Sequence, residues 1–270
     1  MDRITHLLIT VVASITLSSA CPASAQPRTV RVLTYNIHHG EGMDGVIDLK
    51  RIAEVINQAK PDIVALQEVD RGVERTDRVD QPAVLAELTG MRAVFKKNID
   101  DQGGEYGNAV LTRLPIDSVK NHKLPQSLPN EQRGMLEVQL KVGDEKLVFF
   151  ATHFDYHPDD TERWESVAML KMRIAEIPAT PVIVAGDLNA RPDSRVIEEA
   201  VSFLHDSFDV VSGDDCFTFP ADQPNRRIDY VLFKDKDKDR LRCTGHRVID
   251  DKVASDHRPV LAEFTLAVEE

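Results

Sequence analysis

Apolar residues recur along the chain at two periods. Runs rich in Val, Ile, Leu and Phe at 30–37, 62–69, 108–114, 135–142, 146–153, 181–187, 228–233, 241–248 and 259–266 predict strands. Many are apolar on both alternating faces, which suits a strand only where both faces are covered. Between them, Leu49, Ile52, Ala53, Ile56 and Ala59 keep the i, i+3, i+4 spacing of a helix that Asp48 can cap and Pro61 closes. Helical patterns also run over 84–88 and 167–177, the latter with Thr161 as candidate cap. Strands well outnumber helices. Two sets of apolar strands with interleaved amphipathic helices bury their surfaces by stacking two sheets and covering the outer faces with helices. The expected fold is therefore α/β, a four-layer αββα sandwich of two mostly antiparallel sheets.

Residues 1–25 stand apart from this pattern. Arg3 precedes an apolar run from Leu7 to Leu17, interrupted only by Thr10, Ser14 and Thr16, and Ala23-Ser24-Ala25 gives the small-x-small pattern of a cleavage site. The run is too short for a membrane span, so the reading is a signal peptide cleaved after Ala25, an exported protein, and one domain over 26–270. Ser18 stands three residues before Cys21, where a lipidation signal usually has Leu. Without Cys21 the exported chain keeps Cys216 and Cys243, which could pair or stay as free thiols. The alternating Lys and Asp of 234–240 read as a solvated hairpin turn.

Removing the leader leaves the net charge at −12, because Asp2 and Arg3 cancel. That charge disfavours long-range attraction to polyanions, although carboxylates gathered to hold cations would also produce it. The chemistry collects where apolar strands stop. Asn36, Glu68, His153 and the pair Asp187/Asn189 each sit at the carboxyl end of such a run, and several strand ends meeting at one sheet edge make a cleft. Asp187 and Asn189 are two residues apart, hence on one side of an extended chain; an Asx turn is the plainer reading. Asp256 and His257 precede the last strand and couple a carboxylate to an imidazole. Asp229 interrupts an apolar run and needs a donor or cation, for which Arg226 and Arg227 are at hand. Hard carboxylate and amide oxygens favour Mg²⁺ or Mn²⁺, while a zinc site built from His153, His257 and aspartates is the alternative.

The motifs LTYNI, LQEVD, GGEYGNAVLTR, ATHFDY, VAGDLNA, RRIDYVL and SDHRPV, in this order over Val30 to Leu266, resemble the endonuclease/exonuclease/phosphatase superfamily of metal-dependent phosphoesterases. The resemblance implies the same αββα sandwich, with the site at one edge of the two sheets. It implies Asn36, Glu68 and Asp256 as metal-side residues, and Asp229 with His257 as a dyad that orients or deprotonates the attacking water. It further implies that Asp187 and Asn189 hold the nucleophile and phosphoryl oxygens, and that His153 touches the phosphate or assists the leaving group. Tyr106 and Asn108 would line the cleft, with Asn108 as the phosphate contact; apart from the resemblance, Arg226 and Arg227, if not engaged by Asp229, could instead hold a phosphate, with Arg227 as the candidate.

The function expected is thus hydrolysis of a phosphodiester or phosphomonoester by a monomeric, exported, metal-dependent enzyme. A small or lipid-linked ester is favoured over nucleic acid because no basic stripe accompanies the site, although Arg71, Arg75, Arg78, Arg191, Arg226 and Arg227 are available to a backbone. A binding module on the same fold is the rival, and the base–imidazole pair argues against it. A glycosidase would be expected to carry sugar-stacking aromatics, and the chain has a single Trp. The segments HHGEGMDG, ERTDRVDQ and YHPDDTERW follow site motifs and shape the pocket without a readable substrate code.

Overall fold

The computed structural model describes residues 27–210, 216–234 and 240–267. The expected leader and residues 235–239 of the expected turn lie outside the described residues. In chain order the strands are β1 (Arg28–Asn36), β2 (Ile63–Arg71), β3 (Arg92–Asp101), β4 (Gly104–Thr112), β5 (Ile116–Lys123), β6 (Gly134–Val142), β7 (Glu145–His153), β8 (Val182–Asp187), β9 (His205–Asp206), β10 (Asp229–Lys234), β11 (Leu241–Val248) and β12 (Val260–Leu266). The helices are α1 (Leu49–Ala59), α2 (Gln81–Thr89), α3 (Thr161–Glu176), α4 (Arg195–Val201) and the short α5 (Ser207–Val210).

Six strands form each sheet, in the orders β11-β12-β1-β2-β4-β3 and β5-β6-β7-β8-β10-β9. Each sheet has one parallel pair at its centre, β1–β2 in the first and β7–β8 in the second, and the remaining pairs are antiparallel. Leu136, Val138, Phe149, Ile183, Val231 and Phe264 belong to the apolar layer between the sheets. A second layer packs Val167, Leu170 and Ile174 of α3 with Val196 and Ile197 of α4 over Phe150 and Val184. A third packs Ile52 and Ile56 of α1 and Leu85 of α2 over Leu33, Val64 and Leu66. The four-layer α/β sandwich follows directly from strands that are apolar on both faces.

The nine expected strands are all present, and β3, β5 and β9 were not legible. All three are sheet edges. β3 reads RAVFKKNIDD and β5 reads IDSVKNHK, so charges that protect an edge from further pairing also erase the apolar signal. Asp48 caps α1 as expected, accepting from the Lys50 and Arg51 amides at 2.9 and 3.3 Å. Thr161 is instead the first residue of α3, Asp160 takes the cap position, and the cap makes no side-chain hydrogen bond. α2 runs further than its apolar pattern because Asp80 accepts from the Ala83 amide and Gly90 ends the helix in a left-handed conformation. Cys216 and Cys243 are both free thiols.

Candidate active site

The two parallel pairs decide where the site lies. Parallel neighbours end at the same edge, so β1 delivers Asn36 beside Gln67 of β2, and β7 delivers His153 directly beside Asp187 of β8. Asp229, the first residue of antiparallel β10, pairs with Asp187 from the other side. His153, Asp187 and Asp229 thus form a row across three strands, and Asn36 reaches it from the other sheet through an Nδ2 hydrogen bond to Asp187 Oδ2 of 3.2 Å.

Glu68 arrives differently from the expectation, since β2 does not end there but continues to Arg71. Between Leu66 and Val69 the register with β4 slips by one residue, and Glu68 has φ 57°. A bulge rather than a strand end turns its carboxylate into the cleft, where Asn36 Nδ2 donates to Oε1 at 2.9 Å. After β1 the chain makes a further left-handed turn, with φ 45° at His38 and 43° at His39. Such backbone costs a non-glycine residue roughly 1–2 kcal/mol, and here it places both rings on the cleft wall.

The cleft has a volume of about 560 Å³. Glu68, Tyr106, His153, Asp187, Asn189, Asp256 and His257 all line it, and Asn36 and Asp229 stand just behind. Two expected residues are placed elsewhere. Asn108 is buried and gives its amide to the Gly134 carbonyl at 2.9 Å. Arg227 is buried in an ion pair with Asp206, its guanidinium 4.6 and 4.7 Å from the Phe208 and Tyr230 ring centroids. Its neighbour Arg226 lines the cleft instead, over the Phe219 ring at 4.5 Å. Successive residues point to opposite sides, and the sequence alone does not say which of two arginines faces out.

Sequence reasoning missed Arg133. It lies just before β6, buried, with Nη1 donating to His153 Nδ1 at 3.2 Å and Nη2 3.0 Å from Glu131. A guanidinium only donates, so His153 Nδ1 is an acceptor, while its Nε2 lies 3.1 Å from Asn189 Nδ2 and 3.5 Å from Asp187 Oδ2. Burial, then the charges of Arg133 and His257, hold the His153 pKa well below its ordinary value. Tyr106 is pushed the other way by burial and the Glu68 carboxylate, so its hydroxyl stays protonated.

His257 joins the two acids. Its Nδ1 is 2.9 Å from Asp229 Oδ2, and its Nε2 is 3.7 Å from Asp187 Oδ2. Burial alone would lower its pKa, but Asp229 and Asp187 override burial and raise it to about 10. Asp187 is raised to about 7 by burial and the Asp229 charge, against the opposing pull of His257 and the hydrogen bonds from the Asn189 amide and Asn36. The cluster therefore pairs an imidazole whose charged form the two carboxylates favour with a carboxyl group whose neutral form burial favours.

Donors for a cation lie alongside. His38, His39 and Glu68 each offer one ligand atom, all within 4.8 Å of one another, and Asp256 Oδ1 is 4.0 Å from His38 Nδ1. Two carboxylates and two imidazoles on one wall fit a divalent metal. Asp187, Asp229 and His257 form a second such group, but its imidazole nitrogens already face carboxylates.

The sequence profile of the Endonuclease/Exonuclease/phosphatase family matches residues 33–257. The protein YbhP of Escherichia coli (strain K12) is 27% identical over 262 residues, 91% of this chain and 100% of YbhP. A 5′-tyrosyl-DNA phosphodiesterase of Caenorhabditis elegans is 26% identical over 175 residues, 62% of this chain and 45% of that protein. Among solved structures, the endonuclease/exonuclease/phosphatase from Beutenbergia cavernae DSM 12333 superposes with a TM-score of 0.71 at 25% identity, covering 89% of this chain and 72% of that one.

Proposed function

The chain belongs to the endonuclease/exonuclease/phosphatase family, and we propose that it is an exported phosphoesterase that uses a divalent metal to hydrolyse a phosphodiester or phosphomonoester by attack of water. The observation that carries this reading is His257 held between Asp229 and Asp187, facing the same cleft as Arg133 and His153. A binding module needs positive charge for a phosphate but no group poised to take a proton near neutrality. Asp187 is such a group.

In this reading the roles within the expected dyad differ. An imidazole raised to about 10 is protonated at neutral pH and has no lone pair with which to act as base. In this reading Asp229 fixes the His257 ring through Nδ1, and Nε2–H faces the cleft to hold a phosphoryl oxygen. Asp187 accepts the proton of the attacking water, and the Asn189 amide on Asp187 Oδ1 at 2.9 Å orients that carboxylate. Arg133 and neutral His153 face the phosphate beside them. Glu68, Asp256, His38 and His39 would hold the metal, which when bound neutralises phosphate charge and stabilises the leaving oxygen. Mg²⁺ or Mn²⁺ suits the carboxylates.

A small or lipid-linked ester remains the favoured substrate. The net charge of −12 opposes a polyanion, and Arg75, Arg133 and Arg226 are the arginines of the cleft among the described residues. Export rests on the leader pattern. Among the described residues no helix is long and apolar enough to cross a membrane. The test is hydrolysis of a chromogenic phosphodiester and monoester by the purified protein with Mg²⁺, with Mn²⁺ and with chelator, beside a short DNA duplex. Metal-dependent turnover supports the reading, and the ester preferred names the class. No turnover of any ester with any dication sinks it.

A further inference from the structure

The histidine pair after β1 has a property that oxygen ligands do not share. Neighbouring residues of a strand face opposite ways, but two successive left-handed residues bring His38 and His39 onto one wall, with ring centroids 4.5 Å apart at 62°. The segment between them and α1 then fixes one nitrogen of each ring. His38 Nδ1 lies 3.3 Å from the Glu41 carbonyl oxygen, and His39 Nε2 lies 3.4 Å from the Glu41 carboxylate. With the proton of each ring directed at Glu41, Nε2 of His38 and Nδ1 of His39 keep their lone pairs. That Nδ1 is buried and has no hydrogen-bond partner among the described residues. A buried acceptor left without a donor is costly and rare. A neutral imidazole with one nitrogen oriented by an outer oxygen and the other free is how histidine binds metals.

Asn36 strengthens the contrast. Its Oδ1 accepts from the His38 amide at 3.1 Å, and its Nδ2 spans Glu68 and Asp187. The amide oxygen expected to be a hard ligand accepts from the turn, and it is the amide nitrogen that lies beside Glu68.

Building on the hydrolase reading, we propose that His38 and His39 bind the resident cation with Glu68 through imidazole nitrogen, so that the site selects a first-row transition-metal dication over Mg²⁺. Imidazole suits such ions, whereas Mg²⁺ prefers an oxygen shell and gives up water reluctantly.

The experiment is pulsed electron paramagnetic resonance of Mn²⁺ bound to the purified full chain, with Mn²⁺ and Mg²⁺ affinities measured by competition. His38→Asn and His39→Asn are made singly and together, because Asn tolerates the left-handed backbone. His205→Gln, at an exposed position on β9, serves as control. The expected result is nitrogen coupling to Mn²⁺ that weakens in each single variant and vanishes in the double, while circular dichroism is unchanged. Mn²⁺ affinity should fall roughly tenfold or more, Mg²⁺ affinity far less, and the control should match the parent. Nitrogen coupling that persists in the double variant, or oxygen-only coupling in a parent that still hydrolyses esters, overturns the proposal and leaves the hydrolase reading standing. A parent that neither binds Mn²⁺ nor hydrolyses any ester overturns both.

Discussion

Asp187 and Asp229 are direct partners across the β8–β10 ladder, two buried acids side by side at one sheet edge. Like charges so placed repel, and His257 is the group that lets both remain there, with Nδ1 on one carboxylate and Nε2 facing the other.

Replacing His257 removes the cation and leaves the two acids unscreened. His257→Gln should lower kcat by about 10²- to 10³-fold, the usual cost of losing one charge-stabilising donor. Steady-state kinetics on the preferred ester, with fold checked by circular dichroism, measures it.

The acids also set a pH signature in stability. The folded-state pKa of Asp187 is raised to about 7, above the roughly 3.9 of an unfolded Asp. Between those values the native state binds more protons than the unfolded chain, so this group's contribution to stability falls as pH rises through the window. Asp187→Asn should therefore melt above the parent at pH 8, and the difference should close by pH 4. Thermal melts in chelator, with about 2–4 °C expected per kcal/mol for a domain of this size, provide the measurement. Activity should fall in the same variant at every pH.

Arg133 is expected to act on His153 as well as on phosphate. Its charge is the second cause, after burial, of the depressed His153 pKa. In Arg133→Ala, kcat/KM should drop by roughly 10²-fold, and the His153 ring should titrate at a higher pH than in the parent. Proton NMR of the histidine C2–H resonances reads the second effect, which loss of a phosphate contact alone would not produce.

Gly186 holds the row of site residues in register. A Cβ there would stand 2.0 Å from the Thr152 carbonyl oxygen of β7, one residue before both His153 and Asp187. Backbone cannot yield as a flexible side chain does, so Gly186→Ala should cost about 1–3 kcal/mol and impair catalysis through misplaced neighbours. Denaturant unfolding beside activity at low temperature measures both.

Much of this was legible because burial and strand periodicity are local signals. Central strands apolar on both faces announced a layered sandwich, and polar residues at the ends of those runs announced the cleft: Asn36, His153, Asp187 and Asn189 stand where the pattern places them. Glu68 was found for an incomplete reason, because a one-residue bulge leaves no mark in hydrophobicity. Asn108 and Arg227 are polar residues in site motifs whose side chains satisfy interior partners. Arg133 was passed over because nothing near it in sequence shows that it meets His153, twenty residues away, across the β6–β7 pair.

The sequence by itself determined the class of fold, the family and the edge at which chemistry gathers, since these follow from which residues avoid water and which motifs stand in what order. Only the tertiary structure decided which of two adjacent arginines faces the cleft, that His257 lies between Asp229 and Asp187, and that His38 and His39 share one wall with Glu68. Those properties depend on distances between residues remote in the chain and on the burial that surrounds them. An imidazole or a carboxyl group takes its charge from its neighbours in space.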